Sequence, residues 1–151
     1  MKIAPQETRT YLLTAVTAQR RRLFQVTAAA ELFVATLLDY RTKGRFELYA
    51  FVVMPDHVHL LLTPAADVSL EKVAQFIKGG FSFRLKSKTD VWERSFDSRR
   101  LVDEEQFDAY REYVENNPVR KGMVTMGGDY LYSSCGRSEL VDPKPSWFGR
   151  G

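Results

Sequence analysis

Residues 54–62, MPDHVHLLL, limit what this chain can fold into more than any other stretch. Phe46 to Met54 and His57 to Thr63 are two apolar, β-rich runs, and only Pro55 and Asp56 separate them. A break that short joins only antiparallel neighbours, and proline has no N–H to continue a ladder, so the segment reads as a hairpin at the centre of a sheet.

The remaining elements arrange themselves around that pair. Tyr11 to Thr17 (YLLTAVT) is short, apolar and rich in β-formers, and it runs into the basic cluster Arg20, Arg21, Arg22. From Thr27 to Lys43 the residues Leu32, Phe33, Leu37 and Leu38 fall at helical spacing, with Thr27 as the expected cap and Gly44 as the stop. After a loop at Pro64–Val68, Ser69 opens a second helix carrying Leu70, Val73, Phe76 and Ile77, with an expected break at Gly79-Gly80. Val91 to Val102 suits a further strand or hairpin. Asp103 begins a third helix that Pro118 is expected to end. The order β-α-β-β-α-β-α predicts an α+β, ferredoxin-like antiparallel sheet with an added C-terminal helix.

A chain of 151 residues that is 44% hydrophobic and 13% aromatic can bury one real core. One domain is expected over 1–126, with 127–151, rich in Gly, Ser and Pro, as a loop or extended arm. The single Cys135 excludes an internal disulfide framework and suits a reducing, cytoplasmic setting. The most apolar stretch, Leu48 to Leu62, is interrupted by Pro55, Asp56 and two histidines, so neither a signal peptide nor a membrane span is expected. The net charge of +3 says little, but its distribution says more: residues 78–100 carry seven positive and three negative side chains, residues 101–151 six and nine. That asymmetry suits a face that binds a polyanion.

The chain has two histidines, and both lie in His57-Val58-His59. Residues two apart on a strand project from one face, so the two imidazoles stand side by side and can share one metal ion. An isolated H-x-H is as often two hydrogen-bonded surface histidines; here the pair stands at the mouth of a buried strand after a sharp turn, where side chains are held rigidly. On the third helix Phe107, Tyr110 and Val114 form an apolar stripe. Tyr113 and Asn117 are one turn apart on its flank, so a phenol and an amide oxygen can approach the same point. A phenol with a pKa near about 10 needs a cation close by to act as a nucleophile, which a metal ion on the histidines supplies. Tyr110 is the competing nucleophile, but its neighbour one turn on is Val114, which offers a metal nothing. The bland alternative, that Tyr113 merely rims an amphipathic helix, remains open on spacing alone.

Three blocks, MPDHVHLLL at 54–62, WERSFDSRRL at 92–101 and YVENNPVRKGMV at 113–124, resemble those of the Y1 (HUH) tyrosine transposases of the IS200-like class, most closely the REP-associated tyrosine transposases. The resemblance covers about residues 10–135. It implies a ferredoxin-like or RRM-like sheet, Mg²⁺ or Mn²⁺ on His57 and His59, and attack by Tyr113 to give a 5′-phosphotyrosine and a free 3′-OH. It also implies Asn117 as the third ligand, although members often carry Gln there. The implied substrate is single-stranded DNA with hairpins, handled by a monomer or homodimer associated with the nucleoid.

Candidate DNA contacts follow from basic residues interleaved with aromatics: Lys78, Phe81, Arg84, Lys86 and Lys88, then Arg94, Arg99 and Arg100 around Phe96. Arg20, Arg21, Arg22, Arg120 and Lys121 complete the set; any one of them alone reads equally well as a solvated charge. Two other functions compete with DNA cleavage. One is a non-catalytic hairpin-binding module on the same fold, which would bind without cleaving. The other is a replication initiator or relaxase, against which the second and third blocks argue.

Overall fold

The computed structural model describes residues 4–149; the outermost residues of the expected domain and tail lie outside that range. Its sheet has four antiparallel strands: β1 (Thr10–Val16), β2 (Phe46–Met54), β3 (His57–Pro64) and β4 (Asp97–Leu101), in the order β2-β3-β1-β4. Helices α1 (Thr27–Thr42) and α2 (Leu70–Leu85) cover one face, and α3 (Glu104–Arg120) covers the other. This is the ferredoxin-like arrangement that the element order predicts. Pro55 and Asp56 join β2 to β3, which pair from Met54↔His57 to Phe46↔Pro64.

Alternation along β3 divides the core. Val58, Leu60 and Leu62 point into the α1/α2 layer, whereas Leu61 points towards α3 beside Leu12, Val52, Phe107 and Val114. Between Leu48 and Ala50 a β-bulge shifts the register, and because both faces of the sheet are covered β2 is buried at every position from Leu48 to Met54. The α1/α2 layer is anchored by Phe24, Phe33, Phe81 and Trp92, with ring centroids 5.5–5.9 Å apart. Phe81 is fully buried there, so it stabilises the core and has no free face for a DNA base.

Three local expectations are corrected. Gly79 and Gly80 do not break α2: a Cβ on Gly80 would stand 2.7 Å from the Tyr40 ring, so glycine there lets α1 and α2 approach closely. Pro118 does not end α3, which continues to Arg120; a proline in the last turn costs one hydrogen bond, and Lys121 N–H still reaches the Asn117 carbonyl. Val26 rather than Thr27 occupies the N-cap of α1. By contrast, Ser69 and Asp103 cap α2 and α3 through the N–H groups of Lys72 and Gln106.

The segment after α3 does not extend away from the domain. Val53 N–H donates to the Tyr132 carbonyl and Ser134 N–H to the Phe51 carbonyl, so residues 132–134 lie along the outer edge of β2. Asp142 then accepts from Leu48 N–H at 2.8 Å and pairs with Arg41, and Phe148 packs against Phe107. An edge strand offers unpaired backbone groups, and this segment covers them. Among the described residues, no helix is long and apolar enough to cross a membrane.

Candidate active site

The histidine pair stands at the first two outward positions of β3, on the α3 face. Their rings are 4.8 Å apart, centroid to centroid. Each Nδ1 already has a partner. His57 Nδ1 lies 2.7 Å from Asp56 Oδ1, and His59 Nδ1 lies 2.8 Å from Thr14 Oγ1. Burial works to raise the Asp56 pKa, but the hydrogen bond and charge of His57, together with Arg20, outweigh it and hold the carboxyl below its usual value. An ionised carboxylate only accepts hydrogen bonds, so the His57 Nδ1 carries a proton. A carboxylate behind the ligand in this way fixes tautomer and ring direction at metal sites.

His59 is buried, and desolvation, the neighbouring His57 and Lys121 push its pKa down to about 4. It is therefore neutral near pH 7, the form that ligates a metal. α3 crosses above. The ring of Tyr113 is 5.3 Å from that of His59, and the Arg120 guanidinium stands 5.5 Å over the Tyr113 ring. One turn beyond Tyr113, Asn117 is buried and its Oδ1 has no hydrogen-bond partner. Such an acceptor costs about 1–3 kcal/mol, which calls for a compensating role.

Two imidazole nitrogens and an amide oxygen fit a divalent ion that keeps open positions for a substrate oxygen. Among the described residues no group of three or more His, Cys, Asp or Glu side chains could hold a metal ion, and the buried side-chain oxygen left without a hydrogen-bond partner is that of Asn117. Tyr110 shares a cleft of about 430 Å³ with His59 and Tyr113, but the ring contact with His59 is made by Tyr113.

The basic candidates separate into two groups. Arg20 pairs with Asp56 at 3.3 Å, and Arg22 and Lys121 line a second cleft at His57. Arg99 lines the tyrosine cleft, because its partner across the sheet is Leu12 on the α3 face. With Arg120, these five surround the site. The others lie elsewhere. Arg21 is tied to the Asp90 carbonyl, Lys78 Nζ to the carbonyls of Glu93 and Ser95, and Arg84 to Asp39 at 2.6 Å. Lys86, Lys88 and Arg94 are exposed, and Arg100 on the opposite face of β4 reaches the Thr8 carbonyl.

Spacing alone does not single out Thr14 and Asp56. Thr14 is one of two threonines in an otherwise apolar strand, and it meets His59 only because β1 and β3 pair in register Thr14↔His59. Asp56 reads as a turn residue; its position directly before His57 was the available signal.

The family model described as "Transposase IS200 like" matches residues 6–117. The REP-associated tyrosine transposase of Escherichia coli (strain K12) is 24% identical over 123 residues, covering 81% of this chain and 74% of that protein. A Haemophilus influenzae protein named for the same group is 26% identical over 118 residues, covering 69% and 67%. Among solved structures, a REP-associated tyrosine transposase bound to a REP hairpin matches the fold with a TM-score of 0.76 and 22% identity, covering 95% of this chain and 87% of that one.

Proposed function

This chain belongs to the IS200-like transposase family, and from that membership we propose that it cuts and rejoins single-stranded DNA beside hairpins, with Tyr113 as nucleophile. The observation that carries the reading is convergence. Tyr113 stands against His59 at one end of the sheet, the Nδ1 atoms of His57 and His59 are each held by a partner, and one turn along α3 from Tyr113 the buried Asn117 oxygen has none.

His57, His59 and Asn117 would hold Mg²⁺ or Mn²⁺. When bound, such an ion polarises a phosphate and neutralises charge that builds on its oxygens. The Tyr113 phenol gives its proton to solvent water and its Oη bonds to phosphorus while the bond from phosphorus to the 3′-oxygen breaks. The 3′-oxygen takes a proton and leaves as a hydroxyl, and the 5′-phosphate stays on Tyr113. Arg120 supplies positive charge over the ring as the phenol turns anionic. The covalent link conserves the phosphodiester energy, so a second 3′-OH can reverse the step without a nucleotide cofactor. Arg20, Arg22, Arg99 and Lys121 hold the strand on either side of the scissile phosphate. Hairpin DNA at the nucleoid is the partner this reading assigns; a solved relative of the same fold is bound to such a hairpin.

The test incubates the protein with labelled single-stranded hairpin DNA from the flanks of its own gene, with Mn²⁺ or with chelator. A denaturation-resistant adduct that requires metal and is absent in Tyr113→Phe is expected. Persistence of the adduct in that variant would move the role to Tyr110, and binding with no adduct would leave a recognition module.

A further inference from the structure

Two clefts flank the histidine pair. One, of about 430 Å³, holds His59, Tyr113 and Arg99. The other, of about 460 Å³, opens at His57 between Arg20, Arg22 and Lys121, with Met54 and Met123 in its wall. Its carboxylate, Asp56, is already bound to His57 and Arg20. We propose that this second cleft holds the nucleotide immediately 5′ of the cut bond, the one whose 3′-oxygen leaves, and keeps that 3′-OH end in place for rejoining.

The argument is one of direction. Displacement at phosphorus puts the attacking and leaving oxygens roughly in line. Tyr113 enters from one cleft, so the leaving oxygen points to the other. α3 spans both: Tyr113 and Lys121 are eight positions apart, about 12 Å of helix rise. Asn117 lies midway between those positions, and His59 and His57 line the first and the second cleft respectively.

The cleft is also built. Gln19 and Arg20 are consecutive non-glycine residues in the left-handed region, φ 57° and 50°. Such conformations are strained and persist only when the surroundings impose them. Here Glu93 Oε1 accepts from Gln19 N–H at 3.0 Å, and the Thr17 hydroxyl donates to the Arg21 carbonyl at 2.7 Å. The strained turn delivers Arg20 to Asp56 and Arg22 to the cleft wall. Guanidinium and ammonium groups suit the backbone phosphate of the departing strand, and the polarizable methionines suit a base of any identity.

The inference rests on the phosphotyrosine reading, and one experiment tells their failures apart. Adduct is formed on flanking hairpin DNA, then chased with increasing labelled oligonucleotide ending in 3′-OH. In forward cleavage the 3′-OH strand remains in the His57 cleft; in the chase its hydroxyl loses a proton, attacks phosphorus and releases Tyr113, whose oxygen is reprotonated. Loss of two charge-assisted contacts in Arg22→Ala/Lys121→Ala should raise the KM for the incoming strand by ~10-fold or more. Arg99→Ala should lower adduct yield and leave that KM in place. An oligonucleotide with 3′-terminal 4-thiothymidine should crosslink to the segment Lys121–Met123. An unchanged KM, or a crosslink to the Tyr110–Tyr113 segment, overturns the subsite alone; absence of any wild-type adduct overturns the phosphotyrosine reading and the subsite with it.

Discussion

Asn117 offers the sharpest test of the metal centre, because it opposes stability to function in one side chain. Its Oδ1 is buried without a partner on a residue only 3% exposed. Asn117→Leu keeps the branching at Cγ, removes the unsatisfied acceptor and places a better helix former in α3. Relief of desolvation is worth about 1–3 kcal/mol and helix propensity a few tenths, set against about 1 kcal/mol of crowding from the larger side chain. The metal-free variant should therefore be about 1 kcal/mol more stable than the wild type, a rise in Tm of about 2–4 °C for a chain of this size. With Mn²⁺ the order reverses. A ligand at a hundred times its Kd stabilises the folded state by about 2.7 kcal/mol, or roughly 5–10 °C, and Asn117→Leu should forfeit most of that shift. Melts followed by circular dichroism, with chelator and with Mn²⁺, measure both quantities. Asn117→Asp serves as the counterpart, destabilised with chelator by its buried carboxyl and recovered by Mn²⁺. If Asn117→Leu retains the wild-type metal shift, Asn117 is not a ligand and its orphaned oxygen has another cause.

The depressed pKa of His59 carries a pH signature. The unfolded chain takes up a proton near pH 6.5 while the folded chain resists until about 4, so metal-free stability falls between those values and levels off below them. The span corresponds to about 3 kcal/mol, and urea melts of wild type and His59→Gln at pH 7, 5.5 and 4 should show that part of the slope vanish in the variant. Asp56→Asn should weaken Mn²⁺ binding by about 10- to 100-fold in calorimetric titration, since it removes the carboxylate behind His57; unaltered affinity would rule out that positioning role. Phe83 is 84% exposed, with Lys86 and Lys88 close after it in sequence. Phe83→Ala should leave stability within about 0.5 kcal/mol yet weaken single-stranded DNA binding by about 5- to 100-fold in anisotropy titrations, and equal binding would make it an idle surface residue.

What sequence periodicity reports is which face of an element is buried, and that is the part of this fold it conveys. The β2–β3 hairpin, the helix caps at Ser69 and Asp103 and the shared face of His57 and His59 all follow from local pattern. Failures come where a local rule is overruled from a distance. Gly80 reads as a helix breaker until Tyr40, forty residues away, is seen to need the space of its missing Cβ. Phe81 reads as a base-stacking aromatic between basic residues, yet its ring completes the cluster with Phe24, Phe33 and Trp92. Segment 132–142 carries no periodic signal because its attachment to β2 is made largely through backbone groups and the Asp142 carboxylate.

The proposed site shows the complementary pattern. Its histidines and tyrosine stand out by residue type and spacing, while the groups that prepare them do not: Thr14 comes from the β1–β3 register and Asp56 reads as a turn residue. Three features here work against folding, namely an unpaired buried oxygen on Asn117, a histidine desolvated until its pKa falls to about 4, and two adjacent left-handed residues at 19 and 20. Each alone is tolerable in a domain whose core is otherwise well packed. They lie on the elements that carry the proposed site, and departures from local rules collect where a protein trades stability for activity. A metal ion and a DNA strand would relieve much of this, the ion by coordinating Asn117 and His59, the strand by engaging the cations around the strained turn. On that reading the energetic defects of the free protein trace the outline of its ligands.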